Sequence, residues 1–251
     1  MEKKPFVLWL IWQNQETRQR YHVGSLFHSD GKYTFSYELS GQRRTLNEAL
    51  KIGYKPHLSF PDIHNTYVSD RLFGPFARRL PDKRRPDFAE ILKDYGLPLD
   101  YTEMDLLRAT GGRLATDPYE FVAPINVIED YFSFDFYIAG WRYYDGEKVA
   151  NKLRIGTKVN FELEPSNQED EKAIIVLADN EGQKLGYIPA FYSGFMFDVI
   201  RNKEVYEAKI DKVNPHAKPQ QKVNISIVGR LRNDYSFLNS NDVEPLQILV
   251  K

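Results

Sequence analysis

At 251 residues, with 42% hydrophobic, 27% charged and 14% aromatic side chains, the chain has a globular composition and suits one large or two small domains. It contains no cysteine, which excludes disulfides, thiolate nucleophiles, iron–sulfur clusters and thiolate zinc sites. Its formal charge is −1, and neither residues 1–125 (18 basic, 16 acidic) nor residues 126–251 (16 basic, 19 acidic) form a polybasic binder.

The first forty residues alternate as half-buried strands do, over Phe6–Trp12, Tyr21–Phe27 and Tyr33–Tyr37. Asp30-Gly31 between the last two supplies residues that tolerate positive φ, so a β-hairpin is expected there. Phe6–Trp12 is the longest apolar run, and its seven residues fall well below the ~18 of a membrane span. Lys3 and Lys4 ahead of it mimic a secretory signal, but no small-residue cleavage site follows. A buried first strand in a cytoplasmic protein is the expectation.

From Asp70 the period becomes helical. Leu72, Phe73, Phe76, Ala77 and Leu80 share one face, Pro86 precedes a second helix through Phe88, Ile91 and Leu92, and Met104–Arg108 gives a third before Gly111-Gly112. Residues 1–125 therefore read as an α+β module, a small antiparallel sheet followed by helices. Beyond Pro124 strands are expected at Lys158–Leu163, Ala173–Ala178, Lys184–Ile188, Val205–Val213 and Lys222–Leu231, with one helix over Pro189–Arg201. That pattern predicts a mainly-β barrel with one or two helices over residues 126–232. Residues 233–251 are a polar tail turning apolar at Leu246–Val250, suited to docking.

Catalytic signatures are absent from the sequence. There is no phosphate-binding glycine loop with its lysine, no nucleophile elbow, no His-Glu-x-x-His helix and no kinase motif set. The five histidines are scattered, and neither Ser25 nor Ser193 has the strand-to-helix context of a nucleophile. No enzyme activity, cofactor or metal is expected.

Basic residues cluster twice. Arg71, Arg78, Arg79, Lys83, Arg84 and Arg85 fall within fifteen positions, and residues 201–232 hold eight basic against three acidic residues. Such clusters are solvated faces or docking sites, and Arg71, Arg78, Arg79, Arg84 and Arg85 are the candidates for an interaction surface.

The run Gly140-Trp141-Arg142-Tyr143-Tyr144-Asp145-Gly146 places a guanidinium beside phenol rings. Rings stack on bases and cations meet phosphates, so this composition suits single-stranded nucleic acid, although aromatic strands also build cores. Two further motifs follow in order: Glu164-Pro165-Ser166-Asn167-Gln168-Glu169-Asp170-Glu171-Lys172-Ala173-Ile174, then Leu185-Gly186-Tyr187-Ile188-Pro189. Together the three resemble the HIRAN domain of DNA-repair translocases and bacterial stand-alone proteins, over about residues 134–232.

The resemblance implies an SH3-like or OB-like barrel that captures the 3′ end of single-stranded DNA. It places Arg142 on the backbone phosphate, Tyr143 and Tyr144 on the terminal nucleotide, Asp170 on the 3′-hydroxyl and Tyr187 beside the pocket. A carboxylate in that role would repel a 3′-phosphate. Two positions depart from the pattern: Glu169 stands where an aromatic is found in DNA-binding members, and Ala190 where a basic residue is common. Both weaken the electrostatic attraction for nucleic acid. Asp170 as a turn cap and Tyr187 as barrel core stay open as alternatives.

The front half, through His22-Val23-Gly24-Ser25-Leu26, Tyr33–Tyr37, Phe76–Asp82, Asp105-Leu106-Leu107 and Gly111-Gly112, is similar to the N-terminal subdomain of HipA-type toxin kinases over about residues 6–123. That similarity implies a protein-interaction module and a possible HipA-like kinase partner. Two readings result: a non-catalytic protein that recognises single-stranded DNA ends, or an antitoxin-like regulator with a weak DNA pocket.

Overall fold

The protein is described by a computed structural model that covers residues 6–40, 44–178, 182–215, 217–232 and 247–248. The backbone divides into two compact units, Met1–Pro124 and Ile125–Lys251.

In the front unit β1 (Phe6–Gln13), β2 (Arg20–Ser29) and β3 (Lys32–Tyr37) are followed by α1 (Leu46–Lys51), β4 (Thr66–Ser69), α2 (Gly74–Ala77), α3 (Phe88–Asp94), α4 (Glu103–Thr110) and β5 (Tyr119–Val122). The sheet runs β4-β3-β2-β1-β5 and is antiparallel throughout. The β2–β3 hairpin turns on Asp30 and Gly31 at φ of 51° and 73°, the positive-φ pair expected from the sequence. Thr102 and Asp105 close a capping box on α4, and Gly111 ends it in the left-handed conformation.

The helical period of Leu72–Leu80 yields only the single turn of α2, because Pro75 in its first turn marks the helix start and Pro81 disfavours helix at the residue before it. Its apolar side chains still reach the core, where Phe35, Phe60, Phe76 and Phe121 pack ring to ring at 4.7–5.3 Å. On the sheet, His22 is 3% exposed and stacks on Trp9 at 4.7 Å.

The rear unit contains β6 (Asn126–Ile128), β7 (Tyr131–Tyr137), a 3-10 turn at Trp141–Tyr143, α5 (Gly146–Val149), β8 (Val159–Leu163), β9 (Ile174–Ala178), β10 (Lys184–Tyr187), α6 (Ala190–Arg201), β11 (Val205–Val213), a 3-10 turn at Pro219–Gln221, β12 (Val223–Arg230) and β13 (Gln247–Ile248). They form two sheets, β11-β12-β7-β6-β13 and β10-β9-β8. Along β7 Phe132, Phe134 and Phe136 point inward, and α6 covers them with Tyr192 and Phe195.

The expected barrel is not closed among the described residues. The two sheets meet at single residue pairs, Ala139 with Tyr187 and Lys158 with Lys209. Register shifts between Lys184 and Gly186 in the β10–β9 ladder and between Ile210 and Lys212 in the β11–β12 ladder lie beside the joints and bend the strands there. Of the tail, only Gln247–Ile248 falls within the described residues, and it pairs parallel with β6. No helix of the described residues is long and apolar enough to cross a membrane.

Candidate nucleic-acid interface

Three residues beyond β7, Gly140 at φ 76° takes the left-handed conformation and turns the chain into the 3-10 helix. Trp141 points inward, 1% exposed, and its indole N–H donates to Glu147 Oε1 at 3.0 Å. Lys222 Nζ donates to both Glu147 oxygens at 2.8 Å, which ties the turn to the foot of β12. With the tryptophan fixed, the next two side chains face water. Arg142 is exposed, Tyr143 is 69% exposed, and the guanidinium carbon lies 4.6 Å from the ring centroid while the guanidinium donates to the phenol oxygen. Among the described residues no carboxylate pairs with Arg142. The pair is an exposed aromatic shelf with its own cation.

Tyr144 and Tyr187 form a second, half-buried pair, edge to face at 5.4 Å and 75°. Tyr187 is held by reciprocal backbone hydrogen bonds with Ala139, both 2.9 Å. Its hydroxyl donates to Glu164 Oε2 at 2.6 Å and accepts from Lys184 Nζ at 2.6 Å and Asn167 Nδ2 at 3.3 Å. Lys184 also pairs with Glu164 Oε1 at 3.3 Å, and its ammonium lies 4.4 Å and 4.2 Å from the Tyr144 and Tyr187 ring centroids. Desolvation, and then the neighbouring Glu164 carboxylate, drive the Tyr187 phenol far above its ordinary pKa. The hydrogen bonds from Tyr187 and Asn167, with Lys184 beside them, hold Glu164 below the usual carboxylate range. The hydroxyl therefore stays protonated and the carboxylate ionised across the neutral range.

Asp170 is half-buried and braces its own loop. Its Oδ1 accepts the Lys172 amide at 2.9 Å and its Oδ2 accepts the Ser193 hydroxyl at 3.0 Å, while its carbonyl receives the Ala173 amide. The turn-cap alternative is thus observed. Asn167 Oδ1 takes the amides of Glu169 and Asp170, and its amide nitrogen reaches Glu164 at 2.6 Å, so Asn167 joins the Asp170 loop to Tyr187. The Glu169 side chain faces solvent.

The sequence pattern places Glu164 and Asn167 inside a motif without a role, and Lys184 only at the start of an expected strand. The Glu-Pro-x-Asn spacing carries a signal for the first two. Lys184 meets Glu164 only through the pairing of β8, β9 and β10, which no local pattern reveals.

In the front unit the basic cluster is not one surface. Arg71 and Arg78 are exposed, and Arg84 and Arg85 pair with Asp82 and Asp87 at 2.7 Å and 2.6 Å in solvent. Arg79 corrects the expectation: its side chain is 7% exposed, forks onto both Asp117 oxygens at 3.0 Å and 2.5 Å, and donates to Gly112 O at 3.0 Å. It also faces the Tyr119 ring, 5.3 Å from the centroid. Such a residue fastens the α2 region to the loop before β5 and is not available for docking. Arg79→Met is expected to lower stability by about 2 kcal/mol in urea denaturation, short of a fully buried pair because Asp117 keeps some solvent. Arg84→Ala is expected to leave the midpoint unchanged, and equal effects of the two variants would refute the assignment. Among the described residues no cluster of His, Asp and Glu suits a metal ion.

The family model of the HIRAN domain matches residues 131–232. Among solved structures, the chain is similar to a Lactobacillus plantarum protein at 23% identity, with a TM-score of 0.33, 38% of this chain and 89% of that chain covered. It is also similar to the HIRAN domain of human HLTF at 16% identity, with a TM-score of 0.35, 45% of this chain and 93% of that one covered. No curated protein matches. Nothing in these comparisons supports the HipA-type resemblance of the front half. Residues 131–232, which carry the exposed Arg142–Tyr143 shelf and the Tyr144–Tyr187 pair, are a HIRAN domain.

Proposed function

We propose that the rear unit binds single-stranded nucleic acid, with Arg142 and Tyr143 as the outer shelf and Tyr144 and Tyr187 lining its inner side. One observation carries the reading: the guanidinium and phenol stand exposed together on a turn whose tryptophan is sealed in the core, and no carboxylate neutralises the arginine among the described residues. Exposed rings accept a stacked base of any sequence, and the adjacent cation meets its phosphate. The HIRAN family, a nucleic-acid-binding module, supports the same conclusion. In its finer form the proposal is capture of a DNA 3′ end, with Asp170 reading the terminal hydroxyl as the family resemblance implies.

Fluorescence anisotropy on short oligonucleotides that differ only at the 3′ terminus tests both levels. Wild-type protein is expected to prefer a 3′-hydroxyl single strand over a 3′-phosphate or a blunt duplex. Tyr143→Ala is expected to weaken binding by the loss of one stacked base, about 1–3 kcal/mol or roughly 5- to 150-fold. Absence of binding at moderate salt overturns the nucleic-acid reading. Equal affinity for all ends overturns end capture alone.

A further inference from the structure

Lys184 occupies an unusual place in the rear unit. It leaves β10 beside Tyr187, and its ammonium lies against both inner rings, at 4.4 Å from Tyr144 and 4.2 Å from Tyr187, with Glu164 Oε1 at 3.3 Å as counterion. The ion pair is only partly buried and by itself contributes little. The Tyr187 hydroxyl, which also accepts from the ammonium at 2.6 Å, can keep its bond to Glu164 when the lysine moves. Glu164 is not stranded if the lysine leaves, because the Tyr187 hydroxyl and the Asn167 amide both still donate to its Oε2 at 2.6 Å. The flexible four-carbon stem of lysine lets the ammonium move while its backbone stays in the sheet. At the start of α6, by contrast, Ala190 offers no cation.

We propose that Lys184 is the phosphate-contacting cation of the inner pocket, stored on Glu164 until an incoming phosphodiester exchanges with that carboxylate. This inference rests on the single-strand reading above. The ligand it names is the backbone phosphate next to the nucleotide on the Tyr144–Tyr187 pair, and Glu164 acts as a competing anion. Two substitutions therefore have opposite effects. Removing the cation weakens binding and removes one counterion-release event, whereas neutralising Glu164 frees the lysine and tightens binding.

The test is anisotropy with a fluorescein-labelled oligothymidylate from about 50 to 200 mM salt, on full-length wild type, Lys184→Gln, Lys184→Arg and Glu164→Gln, with melting temperatures recorded for each. Expected are a several-fold loss for Lys184→Gln, with the log–log salt slope shallower by about 0.7, recovery of the slope in Lys184→Arg, and a several-fold gain for Glu164→Gln. An unchanged slope in Lys184→Gln overturns the inference even if affinity falls, since a purely structural lysine would not alter counterion release. Weaker binding by a stably folded Glu164→Gln also overturns it. Failure of the wild type to bind at all would instead refute the underlying single-strand reading.

Discussion

Gly186→Ala is expected to destabilise the rear unit by more than about 3 kcal/mol. A Cβ at that position would lie 2.2 Å from the Ala139 carbonyl oxygen and 2.6 Å from Ile138 Cγ2, at a φ of +149° that side chains rarely adopt. The obstructing atom is backbone, so it cannot rotate aside. That same carbonyl accepts the Tyr187 amide at 2.9 Å, so relieving the clash breaks one of the joints between the two sheets and displaces Tyr187. Gly156→Ala is the control, since its φ is +84° but nothing lies within 4 Å of the added methyl. That variant carries only the left-handed backbone cost of about 1–2 kcal/mol. Urea denaturation followed by tyrosine and tryptophan fluorescence compares them, and equal midpoints would show that the sheet joint tolerates the methyl.

Acid is expected to weaken the front unit through His22. Burial lowers its pKa from 6.5 to about 4, against the opposing pull of Glu38 and the Gly24 carbonyl. Nε2 lies 3.0 Å from that carbonyl oxygen and 3.2 Å from Ser25 Oγ, which assigns the hydrogen to Nε2 and leaves the buried Nδ1 with no hydrogen-bond partner. A proton on Nδ1 would therefore be a buried donor facing no acceptor. The unfolded chain takes up that proton below about pH 6.5, while the folded chain resists it until about pH 4. The stabilisation is complete above the first value and is lost as pH falls through the window, a total of roughly 3 kcal/mol. Denaturation midpoints of wild type and His22→Gln across that range measure it. A variant whose midpoint falls in parallel with the wild type would assign the acid sensitivity to other groups.

Much of the scaffold was legible because its determinants are local. Alternation at Tyr33–Tyr37 and Val205–Val213, the Asp30-Gly31 turn, and the apolar face of Ala190–Arg201 each state their conformation within a few residues. The elements α1, β4 and β5 went unread, since strands of four residues and a helix of six lie below the length at which periodicity is distinct. Barrel closure was expected from strand number, but it depends on long-range pairing between the two sheets, which among the described residues is limited to isolated pairs and which no local pattern states. Within the site, composition pointed to the run Gly140–Gly146 as a whole; which of its side chains face solvent depends on Trp141 turning inward, which composition does not state. Arg79 misled for the same reason: a cluster of arginines says nothing of which one finds Asp117 thirty-eight positions later.

The 3-10 turn also separates two kinds of evolutionary constraint. Trp141 alone of its three residues is built into the core, through Glu147 and Lys222, whereas Arg142 and Tyr143 project outward and support nothing beneath them. Descendants of this chain are free to exchange the two rim residues and so alter ligand preference, while inheritance of the anchoring tryptophan keeps the architecture intact.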